Sequence, residues 1–219
     1  MAMITKADEK AKDLYSEIME EVMIRAFSIN TAIKTLTKIP QPLLREYCYL
    51  QARMLCELIA LGCLIAHGDV TNTNYFQNKA YKADDILRKL EELHADFYPI
   101  PFTPMFDAPT PEHPKGRLGI APMKADYLKK NELIALYAKC GSVLHKGTLR
   151  RFLKINMTPE DRPYREIVSW TQKLINLMSA HRMSRKGNQL HFMALLNLTA
   201  PDSDQANVQV FLVESPLPK

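Results

Sequence analysis

The stretch Glu46 to His67 reads EYCYLQARMLCELIALGCLIAH. An α-helix turns about 100° per residue, which brings Glu46, Tyr49, Arg53, Glu57, Ala60, Leu64 and His67 within about 40° of one another. The rest of the surface is apolar, above all from Met54 to Ala66. Glu57 interrupts that run, and the run is shorter than the ~20 residues a bilayer requires. The pattern predicts a central core helix over Pro42 to His67, stopped at Gly68. An orphaned charge inside a protein costs several kcal/mol, so neighbours must match this ionisable ridge. Arg53 and Glu57 stand one turn apart and can pair directly. Three readings of the ridge follow. It is a polar network that fixes helix packing, a pocket with Arg53 as anion clamp and Glu57 as acid or base, or a dimer contact.

Helical periodicity continues on both sides. Thr5 and Asp8 form a start signal, and Leu14, Ile18, Val22, Ile29, Ile33 and Leu36 give a stripe that predicts a helix from Thr5 to Leu36. Pro40 and Pro42 separate it from the next element. A third helix is expected over Lys79 to Phe97, with Asp84, Asp85, Arg88 and Lys89 in water. A fourth spans Asp126 to His145. A short basic helix covers Thr148 to Lys154. A fifth runs from the Thr158 cap to Met183. Between the third and fourth lies Tyr98 to Met123, with seven prolines. Those prolines exclude a continuous helix and disfavour a central strand, so an ordered strap over the helices is expected. Gln189 to Leu198 and Val208 to Glu214 read as a hairpin. The expected fold is therefore mainly α: a bundle of about five helices with a Pro-rich strap and a C-terminal β-hairpin. It forms a single domain over 1–219, helical through 186 with the strap at 98–123, and the hairpin over 187–219.

The composition, with 47% hydrophobic and 24% charged residues, is that of an ordinary globular chain. A formal charge of +5 permits an anionic partner without demanding one. Seven glycines against 14 prolines, with neither GxxxxGK nor GxGxxG, argue against phosphate-cradling loops. Cys48, Cys56, Cys63 and Cys140 form no CxxC pair. Cys48 and Cys56 would lie roughly 12 Å apart on a helix, too far for a bridge. Reduced thiols in a cytoplasmic protein are expected, with no metal and no cofactor. The opening MAMITKADEKAKDLYSEI has no apolar signal-peptide core.

A second stretch, YAKCGSVLHKG from Tyr137 to Gly147, puts unusual residues near a helix end. Gly141 costs roughly 1 kcal/mol against Ala inside a helix. Cys140 and Gly141 together suggest a tight helix crossing, with a nucleophilic Cys140 as the alternative. His145 suits the negative end of the helix dipole, or a site facing the ridge. Two basic clusters, Lys146, Arg150, Arg151 and Lys154, and Arg182, Arg185 and Lys186, are solvated surface or, if convergent, a groove for phosphates or RNA.

Leu50 to Val70, with RMLCEL, and Leu136 to Leu149, with YAKCGSVLH, resemble a group of uncharacterised bacterial helical proteins. That group pairs an Arg-x-x-Cys-Glu-Leu helix with a Tyr-x-x-Cys-Gly-x-x-Leu-His motif. More distantly, the outline resembles HEPN-type helical domains. In some of these, an arginine and a histidine a few residues apart on a helix serve a scissile phosphate. Arg185 and His191 match that spacing by letter, with Gly187 between them. The resemblance implies nucleic-acid binding or ribonuclease activity.

Three functional readings follow. The first is a non-enzymatic, oligomeric bacterial interaction protein. The second is a HEPN-like protein using His145 with Arg150 or Arg151. The third is a small-molecule binder using Arg53, Glu57 and His67; Tyr137, His145, Arg150 and Arg151 are further ligand-binding candidates. Catalytic candidates are His145 and Glu57. Expected partners are a second copy of the chain and RNA or another anionic ligand, without a membrane.

Overall fold

The computed structural model describes residues 4–35, 39–68, 82–108, 117–145, 162–185, 189–196 and 208–214. The expected basic helix at 148–154, the Thr158 cap, Arg150 and Arg151 lie outside them. Helix α1 (Lys6–Thr35) opens as read. The Thr5 N–H donates to Asp8 Oδ2 at 2.7 Å, and the Asp8 N–H donates to Thr5 Oγ1 at 3.2 Å. Its buried face is Tyr15, Met19, Val22, Ala26 and Ile29, while Leu14 is exposed. Val22 and Ile29 face inward as expected, while in the first turns Tyr15 and Met19 take the places expected for Leu14 and Ile18. The large pair Tyr15 and Met19 fills the seam instead. A Cβ on Gly62 would stand 3.0 Å from Tyr15 and 3.2 Å from Met19, so this glycine marks the tight crossing with α2.

Helix α2 (Gln41–Ala66) is central, packing on α1, α3 (Ala83–Leu93), α4 (Lys130–Leu144) and α5 (Arg162–Met178). By length and composition it is apolar enough to cross a membrane, and here 56% of its most apolar window is buried, with Leu50 and Leu61 left exposed.

The expectation of a mainly α chain is overturned. Among the described residues, five helices accompany a five-stranded antiparallel sheet, so the fold is mixed α and β rather than all-α. The strands are β1 (Ile100–Asp107), β2 (Arg117–Pro122), β3 (Ala180–Ser184), β4 (Leu190–Leu196) and β5 (Val208–Glu214), in the order β2-β1-β3-β4-β5. The expected hairpin is present as β4 and β5, with Phe192 opposite Leu212. It belongs to a larger sheet for two reasons.

First, the fifth helix stops at Met178 instead of Met183. No breaker marks the spot. The last turn is closed by side chains: Ser179 Oγ donates to the Ile175 carbonyl at 2.7 Å, and His181 Nδ1 meets the Met178 carbonyl at 3.0 Å. The next residues then join a ladder in which Met183 faces Phe192, and tertiary pairing overrides helical propensity. Second, the strap folds into β1 and β2 despite its prolines. Ile100 and Pro101 pair with β3, whereas Phe102 to Asp107 pair with β2. The two ladders share no β1 residue. Pro101 and Pro104, which have no N–H to donate, are therefore each paired with one neighbouring strand only.

Met183, Phe192, Ala194 and Leu196 close the core against α1, where the Tyr15 and Phe192 rings meet edge-on at 5.7 Å. Beside them, His181 is fully buried. Tyr15 Oη lies 2.5 Å from its Nε2. Burial pushes the phenol far up, so Tyr15 keeps its proton and donates it. The neutral ring then donates from Nδ1 to the Met178 carbonyl, and burial pulls its pKa down to about 4. The unfolded chain takes up this proton near pH 6.5, while the folded one resists it until about 4. Stability is complete above the unfolded value and is lost as pH falls through that window, by roughly 3 kcal/mol at most. Urea midpoints measured from pH 7 to pH 4 are expected to fall, and His181→Gln is expected to flatten that slope.

Candidate functional site

Part of the ridge on α2 meets side chains from α4 and α5. Tyr49, fully buried, donates to Glu166 at 3.2 Å, and Lys139 reaches the same carboxylate at 3.0 Å. Burial and then the Glu166 charge push the Tyr49 phenol up to about 12. One turn on, Arg53 is engaged on three sides. Its Nε lies 3.2 Å from Glu57 Oε1, and its Nη2 donates to Tyr137 Oη at 2.8 Å. Its guanidinium carbon sits 4.4 Å from the centre of the Tyr137 ring. Burial, and then the Glu57 carboxylate, push the Tyr137 phenol up to about 12, so this group keeps its proton at neutral pH.

Gly141 is explained here. A Cβ at that position would meet Arg53 Nη1 at 3.1 Å. The glycine makes room for a guanidinium, not for a neighbouring helix backbone. Arg53, Glu57, Tyr137 and Gly141 thus form one constellation across α2 and α4, joining the two quoted motifs. Cys140, beside it, is fully buried, and burial pushes its thiol up to about 12. At neutral pH it carries no significant thiolate, the form a nucleophile needs.

These residues line a cleft of about 460 Å³ between α2, α3 and α4. The wall also includes Lys82, Asp84, Arg88, Ile134 and Ala138. Asp84 and Arg88, which the sequence pattern assigned to water, pair across one turn at 3.3 Å on the cleft side of α3. The signal that could have found them is this charge pair at the start of an amphipathic helix. Arg53, Lys82 and Arg88 outnumber Glu57 and Asp84, so the wall carries a net positive charge.

Among the described residues, the other predicted site residues do not meet here. His67 is fully buried at the far end of α2, with Nδ1 2.7 Å from the Cys63 carbonyl and Nε2 2.9 Å from the Ser184 carbonyl. His94 reaches the same Ser184 oxygen at 2.8 Å. His145 is exposed just beyond α4, its N–H bound to the Gly141 carbonyl at 3.0 Å, and it does not line the cleft. Arg185 follows β3, and His191 lies on β4 with Nδ1 2.9 Å from Ser184 Oγ. Their letter match to an Arg–His pair therefore spans a strand connection, not a helix. Among the described residues no cluster of His, Cys, Asp and Glu is arranged to hold a metal ion.

Comparison of the chain with protein-family models, with curated proteins and with solved structures gave no match. The site is read from its own geometry.

A double-mutant cycle tests the constellation. Arg53→Ala and Tyr137→Leu in urea denaturation are expected to show a coupling of about 1 kcal/mol, the scale of a partly desolvated cation–π pair with a hydrogen bond. Additive losses would mean the stacked geometry is not maintained in solution.

Proposed function

We propose that the chain is a binding protein for a small molecule carrying a compact anionic group, a carboxylate or phosphate, taken up between α2, α3 and α4. One observation carries the reading. Arg53 is pre-positioned by the Tyr137 ring and Glu57, and its Nη1 is given space by a helical glycine on the cleft wall. Such an arrangement reduces the ordering cost of clamping an anion, and a guanidinium suits planar or tetrahedral oxyanions. Lys82 and Arg88 add positive charge, while Ile134 and Ala138 offer apolar contact to the rest of the guest. Binding fits better than turnover. The oxygens of Glu57 face Arg53 and Tyr137, and among the described residues no histidine or cysteine lines this cleft to complete an acid–base or nucleophilic pair.

Thermal unfolding at low ionic strength with sodium phosphate, adenosine monophosphate or succinate as probes tests the reading. At least one is expected to raise Tm saturably by a few degrees, as occupancy stabilises the folded state by mass action. Arg53→Gln is expected to abolish that rise. The absence of a shift at millimolar probe, or the same shift in Arg53→Gln, would overturn it.

A further inference from the structure

The two edges of the sheet are built differently. The β2 edge, RLGIAP, carries a charge, a glycine and a proline, the usual devices against edge-to-edge association. The β5 edge, VQVFLVE, has no proline or glycine and no charge before Glu214. It is the terminal strand of the sheet, so among the described residues its outer row of backbone donors and acceptors faces no strand. Val208, Val210 and Leu212 are half-buried on the side packed against α1 and the core, while Phe211 and Val213 are 41% and 38% exposed on the other side.

We propose that β5 pairs antiparallel with β5 of a second copy of this chain, about a twofold axis through Phe211, joining the two sheets into one. The strand is complementary to itself in that register. Phe211 falls opposite its counterpart, Val210 opposite Leu212, Gln209 opposite Val213, and Val208 opposite Glu214. Residues directly opposite share a face. At the centre of the inward row Val210 therefore meets Leu212 on both sides of the axis, the outward row places two phenyl rings together on it, and Glu214 stays at the exposed ends. The single charge meets Val208 at each end and never its own copy. The contact is isologous: the aromatic pair on the axis and the Val210–Leu212 pairs beside it occur in this register, and no like charges are opposed. The inference stands apart from the cleft and does not depend on what binds there.

Sedimentation equilibrium of the full chain tests it. The wild type is expected at twice the 25.1 kDa chain mass. Phe211→Glu and Phe211→Lys each place like charges face to face on the axis. Both are expected to sediment at the single-chain mass with an unchanged circular dichroism spectrum, because this ring is partly exposed. Their equimolar mixture is expected to return to the double mass. A monomeric wild type, a Phe211→Glu variant that stays double, or a mixture that stays single would each overturn the proposal. Amide exchange of the wild type gives the same answer without substitution. Protection across 208–214 that rises with protein concentration supports it, and protection independent of concentration overturns it.

Discussion

A helix that ends inside a protein must find partners for its last carbonyl groups, and α2 ends inside this one. Its terminal turn meets the end of β3 at Ser184 and Arg185, with Ala66 and His67 fully buried. The His67 ring folds back onto the Cys63 carbonyl, and Arg185 Nε donates to the Ala66 carbonyl at 2.8 Å. The cation also suits the negative end of the helix. Arg185 in turn forms an ion pair with Asp8, the capping residue of α1. Burial opposes ionisation of Asp8, but the Thr5 hydrogen bonds and the nearby guanidinium prevail and hold the carboxyl below its ordinary value. One arginine after β3 thus joins the start of α1 to the end of α2, and the aromatic ring of Phe192 lies 5.3 Å beneath it. The layer of helices and the sheet are registered to one another at this joint.

The same accounting applies along the middle of α2. Its ionisable groups would be costly if left alone between helices. Arg53 is met by Glu57 and Tyr137, and Tyr49 by Glu166. The four cysteines are all buried, Cys56 and Cys63 among the tightly packed residues of the same helix, and burial raises each thiol's pKa. They serve as small packing groups rather than reactive ones.

Periodicity made the helices legible, because a buried face repeats at a fixed interval whatever it packs against. It could not distinguish Leu14 from Tyr15 as the inward residue, since both suit a core and the choice depends on the partner surface at Gly62. Ala180 to Ser184 carry no local mark of a strand. Their conformation is imposed by β4, remote information that a window of sequence does not hold. The prolines of β1 were read as disfavouring a central strand, yet β1 lies between β2 and β3, because it divides its pairing between the two neighbours. At the site, the spacing of Arg53 and Glu57 was enough to place them together. The role of Gly141 depended on an arginine from another helix, and the two motifs explain one another only in three dimensions.

The divided pairing of β1 also separates two kinds of sequence constraint. Its first two residues, Ile100 and Pro101, are bound to β3 and so to the body of the molecule. Phe102 is buried in the body as well, but from Thr103 onward the strand pairs with β2 alone, and Phe106 is 73% exposed. This arm can drift in composition, or lengthen and shorten in paired steps, without disturbing the main ladder.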